Sequence, residues 1–184
     1  MVQSQQDSYT LTGVGMSQTF HNMLAYMLSN KLLERKNPVF FTDGASDIRR
    51  NIEKMFRFHP YTIILDWYHL KKRCQEYLSM SIKGGKEQRN RILQKLLRIL
   101  WAGNVTEAVL YLKRLDSCLL RTKNRISDLC GYFEKHRDHI PSYALRAYLD
   151  LRNSSSRVEK ANDLVVAQRQ KHNGMSWPSI GSAA

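Results

Sequence analysis

Apolar and polar positions change rhythm three times along the chain. Residues 8–14, SYTLTGV, alternate as a strand does, with every second side chain set for one face. Beyond Met16 the spacing lengthens. Phe20, Met23, Leu24, Met27 and Leu28 recur at three and four, the period of a helix with one apolar face. Pro38 cannot continue that helix, and PVFFTD, residues 38–43, is a short unbroken apolar run of the length of a buried strand. Asp43-Gly44 is a turn signal, and Ser46 is placed to cap a helix carrying Ile48, Ile52, Met55 and Phe56. YTIILD, residues 61–66, repeats the apolar run, and WYHLKKRCQEYLSMSI leaves it as a helix. Strand, helix, strand, helix with short joints predicts a layered α/β sheet, with the two apolar runs as neighbouring parallel strands.

At KGGK, residues 83–86, the strand pattern ends. Four segments up to about Leu151 carry helical periodicity: EQRNRILQKLLRILWAG, NVTEAVLYLKRLDS, KNRISDLCGYFEKHRDHI and PSYALRAYLDLR. Gly, Asn or Pro stands at their joints. NSSS then caps a last helix, RVEKANDLVVAQRQKH, which Gly174 closes, and the small polar tail PSIGSAA is expected to fray. The pattern reads as an α/β core interrupted by a helical block.

Charge changes this picture more than composition does. With 42% hydrophobic residues the 184-residue chain is globular and long enough for a proper core. Its 29 Lys and Arg against 16 Asp and Glu leave +13, a surplus that attracts polyanions, with nucleic acid first among them. Lys71, Lys72 and Arg73 form one cluster; Lys83, Lys86, Arg89, Arg91, Lys95 and Arg98 form a longer one. Lys113, Arg114, Arg121, Lys123 and Arg125 make a third. A solvated helix face explains any one such run; three in so basic a chain point to phosphate contact. No apolar run approaches the roughly 20 residues that span a bilayer, so no membrane partner is expected. Met1 to Gly13 is neither a signal peptide nor a basic presequence, and Cys74, Cys118 and Cys130 are an odd, widely spaced set that fits reduced thiols in the cytoplasm.

Candidate chemistry gathers on carboxylates. Asp43 and Asp66 each end an apolar run, and ligands of open α/β sheets bind beyond the carboxyl ends of the strands. Each has a structural alternative: Asp43 opens an Asp-Gly turn, and Asp66 caps the helix after it. His69 lies three residues beyond Asp66, on the same helix face, where a buried structural role is the usual one for a histidine. Glu159 is the fourth residue of the capping box Ser156-x-x-Glu159, yet a carboxylate in a first helical turn is also able to bind metal. Cys130, His136 and His139 lack the fourth ligand of a zinc site. Gly13-Val14-Gly15 and KGGK lack the spacing of nucleotide-binding loops.

The order VFFTDGA, helix, TIILDWYHLKKRC, helical block, RVEKANDLVVAQRQKHNGMSW resembles bacterial insertion-sequence transposases of the DDE type, in particular the ISKra group related to Mutator-like transposases. The resemblance runs from about residue 3 to residue 177. It implies a ribonuclease-H-like core, a mixed sheet flanked by helices, interrupted by an all-helical insertion. The corresponding boundaries are 1–83 for the first part of the core, 84–152 for the insertion, and 153–184 for the last core helix and tail. In that family acidic residues hold two magnesium ions. Asp43 matches the second family aspartate, Glu159 the last acidic residue, and Asp66 with His69 the Asp-or-Cys-x-x-His motif. The implied catalytic and metal-binding residues are therefore Asp43 and Glu159, with Asp66 and His69 as support and Mg2+ or Mn2+ as cofactor. Lys71, Lys72, Arg73, Lys86, Arg89, Arg91, Lys95 and Arg98 are the implied DNA contacts.

The family's first aspartate sits on an opening strand that this sequence does not carry, and Asp7, in the turn-like QSQQDS, is no substitute. The expectation is thus a fragment of a DDE transposase catalytic domain, truncated at both ends, with an incomplete metal site and no activity alone. Its family chemistry is DNA cleavage and strand transfer. The implied partners are duplex DNA, further copies of the chain or an intact transposase, in a bacterial cytoplasm and on the nucleoid when DNA is bound. The rivals are a non-catalytic DNA-binding protein that inhibits an intact transposase, and a stand-alone nuclease.

Overall fold

The computed structural model describes residues 2–3, 8–9, 11, 13–35 and 37–155. They fall into two compact units. One draws on residues 2–39 and 46–62, with Ser155; the other on 40–45 and 63–154.

In the first unit β1 (Val2–Gln3) and β2 (Ser8–Tyr9) pair antiparallel, Val2 opposite Tyr9 and Gln3 opposite Ser8. Helix α1 (Met16–Ser29) follows Gly15, whose φ of 85° suits a residue without a Cβ. The short α2 (Leu32–Arg35) and then α3 (Ser46–Met55) complete the unit. Asn51 of α3 donates to the Met16 sulfur at 3.3 Å, and the His59 ring nitrogens lie 3.0 Å from the Leu33 carbonyl and 2.8 Å from that of Pro60. Met27, Ile52 and Phe56 are its buried hydrophobics among the described residues.

The second unit is built on β3 (Val39–Thr42) and β4 (Thr62–Leu65), of which only Val39 and Thr62 are grouped with the first unit. Thr62 N–H donates to the Pro38 carbonyl at 3.0 Å and Asp66 N–H to that of Thr42 at 2.8 Å, so both strands advance in the same direction. The two apolar runs are thus neighbouring parallel strands, and β4 is buried from Ile63 to Leu65. Helices α4 (Trp67–Ser81), α5 (Lys86–Trp101), α6 (Val105–Lys113), α7 (Lys123–Lys135) and α8 (Tyr143–Tyr148) follow, with 3-10 turns at Ser117–Leu119 and Arg137–His139. Their apolar stripes meet in one core. Leu70, Cys74 and Leu78 of α4, Ile92, Leu96 and Leu100 of α5, and Leu129 and Phe133 of α7 all belong to it. Side chains close several helix starts: Asn104 accepts from Glu107 N–H at 3.0 Å and Ser142 from Leu145 N–H at 3.2 Å. Trp67, Trp101 and Tyr143 form a three-ring contact, with centroids 4.8, 4.9 and 5.9 Å apart. It joins the start of α4, the end of α5 and α8.

Among the described residues the mixed sheet of a ribonuclease-H-like core does not form, and they are of helical class. Its parallel sheet has two strands, and Ser8–Tyr9 pairs with Val2–Gln3 in a separate ladder instead of joining it. The physical reason lies in where the apolar surface goes. Gly13, Val14 and Gly15 break the alternation of residues 8–14 and lead into α1, while β3 and β4 are four residues each. Most of the buried area is then satisfied helix against helix. Apart from Ile64 and Leu65, the buried members of the main core come from helices α4 to α8 and the segments joining them.

Candidate functional site at the carboxyl ends of the parallel strands

The chain leaves β3 through Asp43 and β4 through Asp66, and the two aspartates meet different fates. Asp43 is exposed, and its Oδ1 accepts the Ala45 N–H at 2.9 Å, closing a turn over Gly44. Gly44 has φ +90°, and a Cβ there would stand 3.2 Å from the His136 ring and from Leu65 Cδ1. Glycine is needed at that position for two reasons, the left-handed backbone and the close approach of the α7 end.

Asp66 is 1% exposed and caps α4. Its Oδ1 accepts from Tyr68 N–H at 2.8 Å and His69 N–H at 3.4 Å, so the carboxylate faces the first turn of its own helix. The capping role, one of the two open at the sequence level, is the one the geometry displays. His69 is half-buried with its ring 5.6 Å from that of Tyr68.

Around Asp43 the helices supply groups that no local pattern announced. Tyr132 of α7 brings its hydroxyl to 3.5 Å from the Asp43 carbonyl, across 89 positions of sequence. Arg73 of α4 lies over the Tyr132 ring, 5.2 Å from its centroid, and over Tyr77 at 6.0 Å. The buried His136 ring packs against Tyr132 at 4.7 Å. Burial pushes the Tyr132 hydroxyl up to about 12; Arg73 opposes that by charge and hydrogen bond, while Cys74 and Asp43 add to it. The phenol therefore remains a donor at neutral pH. Arg73, expected on sequence to meet DNA, is half-buried and in contact with both rings.

Glu159 lies outside the described residues, so the convergence of Asp43 and Glu159 is not part of this geometry. Among the described residues no group of three or more His, Cys, Asp or Glu is arranged to hold a metal ion. His136 and His139 stand 6.2 Å apart by ring centroid. With the Asp66 oxygen turned to backbone amides and Asp43 exposed on its turn, the described donors do not fit a magnesium centre.

The other basic residues divide by exposure. Lys72, Lys86, Arg91, Lys95 and Arg98 are exposed; Lys71 and Arg89 are half-buried. Arg91, Lys95 and Arg98 follow one another at four and three positions on the side of α5 away from Ile92, Leu96 and Leu100, and so form a stripe. Arg91 meets Glu87 at 2.6 Å with both side chains more than three-quarters exposed, and the Lys95 ammonium lies 5.0 Å from the Tyr111 ring centroid. Among the described residues no helix is long and apolar enough to cross a membrane. Comparison of the chain with family models, with curated proteins and with solved structures gave no match.

Proposed function

We propose that the chain binds duplex DNA through phosphate contacts, as a non-catalytic relative of DDE transposases. The observation that carries this reading is the exposed stripe Arg91, Lys95 and Arg98 on α5, in a chain of net charge +13. The Arg91–Glu87 pair does not compete strongly. A surface ion pair in water contributes about 0–1 kcal/mol, and a phosphate replaces it at little cost. Support for the transposase relationship is the order of the three motifs ending on Asp43, Asp66 and the segment holding Glu159. The non-catalytic part is supported by the described donors: among the described residues no three of His, Cys, Asp or Glu are grouped to hold a metal ion, and the supporting Asp66 caps α4. Bound in this way, the chain would occupy transposon ends or target DNA, or enter the oligomer of an intact transposase.

Anisotropy titrations with a labelled duplex over a salt series test it. Binding should show little sequence preference, and log K should fall linearly with log salt. Reversing Arg91, Lys95 and Arg98 to Glu should flatten that slope by about 0.9 for each phosphate that is no longer neutralised. An unchanged slope would remove the stripe from the interface. Magnesium-dependent cutting of the same duplex by the chain alone would overturn the non-catalytic reading.

A further inference from the structure

A groove of ≈ 390 Å³ lies where the end of α6, the Ser117–Leu119 turn and the start of α7 come together. Its floor is aliphatic: Leu112, Leu115, Leu120 and Ile126. The volume is that of a small ligand site, or of one or two large side chains. Backbone bonds hold the wall in shape. Lys83 N–H donates to the Leu119 carbonyl and Arg121 N–H to that of Ser81, both at 2.7 Å, around the antiparallel bridge of Ile82 with Leu120.

Cations outnumber carboxylates on the segments around it. Lys113 lines the groove, and Arg114, Arg121 and Arg125 are exposed on the flanking segments, against Asp116, which caps the 3-10 turn, and Asp128, 3.9 Å from Arg125. Burial raises the Cys130 thiol on the inner wall, and the Lys113 ammonium is close enough to oppose that rise. Thr122, the residue before α7, makes no side-chain cap, so the amides of that first turn favour a carboxylate.

We propose that this groove seats an acidic amphipathic segment of a partner protein, with a leucine-like side chain on the aliphatic floor and carboxylates against Lys113 and the start of α7. Charge decides among occupants. A second copy docked groove to groove would set Lys113 and its basic neighbours against their own equivalents. DNA would satisfy the cations and leave the aliphatic floor unfilled, since its backbone offers no apolar side chain. An acidic segment with one buried aliphatic anchor satisfies both. This inference does not depend on DNA binding by α5.

The test uses the full chain and a synthetic helical peptide with Leu on one face and Glu on the flanks. A control peptide has each Leu replaced by Ser. In amide NMR spectra the first peptide should shift Leu112, Leu120, Ile126 and Cys130, and the control should not. Ser127→Trp, at an exposed rim position, should place an indole in the groove and weaken the peptide at least about tenfold, the loss of one buried anchor. Its thermal unfolding and DNA affinity should match the parent. Lys113→Glu should weaken the peptide mainly at low salt. Equal binding of the Leu-free control, shifts centred elsewhere, or undiminished binding to Ser127→Trp would each overturn the proposal. So would displacement of the peptide from those four residues by duplex DNA.

Discussion

Asp66 keeps 1% of its surface in contact with solvent, and its Oδ1 is spent on the amides of Tyr68 and His69. A ligand role needs an ionised carboxylate turned outward; a cap needs only an acceptor oxygen, which Asn also has. Asp66→Asn should therefore cost well under the roughly 1–2 kcal/mol expected when Asp66→Ala removes the acceptor. Urea unfolding measures both, and equal losses for the two variants would count against capping. Tyrosines give a second test at this scale. Tyr132 is raised from 10 to about 12 and Tyr143 is raised too, in each case chiefly by burial. The unfolded chain loses these protons first, so their contribution to stability is complete below about pH 10 and falls as pH rises toward 12. Tyr132→Phe should leave neutral stability nearly unchanged and make the alkaline loss shallower, read from chemical unfolding at stepped pH together with tyrosinate absorbance. An identical alkaline slope in the variant would show that Tyr132 ionises normally.

Between elements, the joints carry more constraint than the sequence suggests. Gly103 ends the turn from α5 to α6 with φ +80°, and a Cβ there would stand 2.8–3.0 Å from the backbone of Pro141 and Ser142. Backbone cannot swing aside as a side-chain tip can. Gly103→Ala should cost about 1–3 kcal/mol for the left-handed conformation alone, with the overlap added to that, and thermal melting measures it. An unperturbed melt would mean that the Pro141–Ser142 segment is not seated there. A glycine at this joint was legible, because helix stops are local signals; the segment it faces was not, because that contact lies far along the chain. The same division holds for the strands. VFFT and TIIL read correctly as adjacent parallel strands from their length and the helix between them. What lay beyond local reading was how many strands joined them, and residues 8–9 went to a ladder of their own. At the site, Asp43 and Asp66 were visible as strand-ending carboxylates, and the cap on α4 was visible as an alternative. Tyr132, 89 positions from Asp43, gave no signal, and neither did the contacts of Arg73 with the Tyr77 and Tyr132 rings.

For the whole molecule, stability follows burial, and burial is uneven. Among the described residues the first unit buries Met27, Ile52 and Phe56, whereas the main core runs from Ile64 to Tyr143 within one continuous stretch. Most of what folds cooperatively should then reside in residues 61–154. Contributions from outside that stretch come from β3 and its flanks: the carbonyls of Pro38 and Thr42 accept from Thr62 N–H at 3.0 Å and Asp66 N–H at 2.8 Å, the Asp43 carbonyl lies 3.5 Å from the Tyr132 hydroxyl, and Phe41 packs on the core, 5.9 Å from the Arg146 guanidinium. One hydrogen bond is worth about 1 kcal/mol and a partly buried phenylalanine about 1–3 kcal/mol. A chain of residues 61–154 alone should therefore remain helical by circular dichroism and unfold in urea as a single transition, at least about 3–6 kcal/mol less stable than the full chain. Because Arg91, Lys95 and Arg98 go with it, most of the salt dependence of DNA binding should go with it too. A broad, non-cooperative transition would show that the helices need β3 to pack. A cooperative fold with a flat salt response would instead leave the helical body intact and move the DNA contacts elsewhere in the chain.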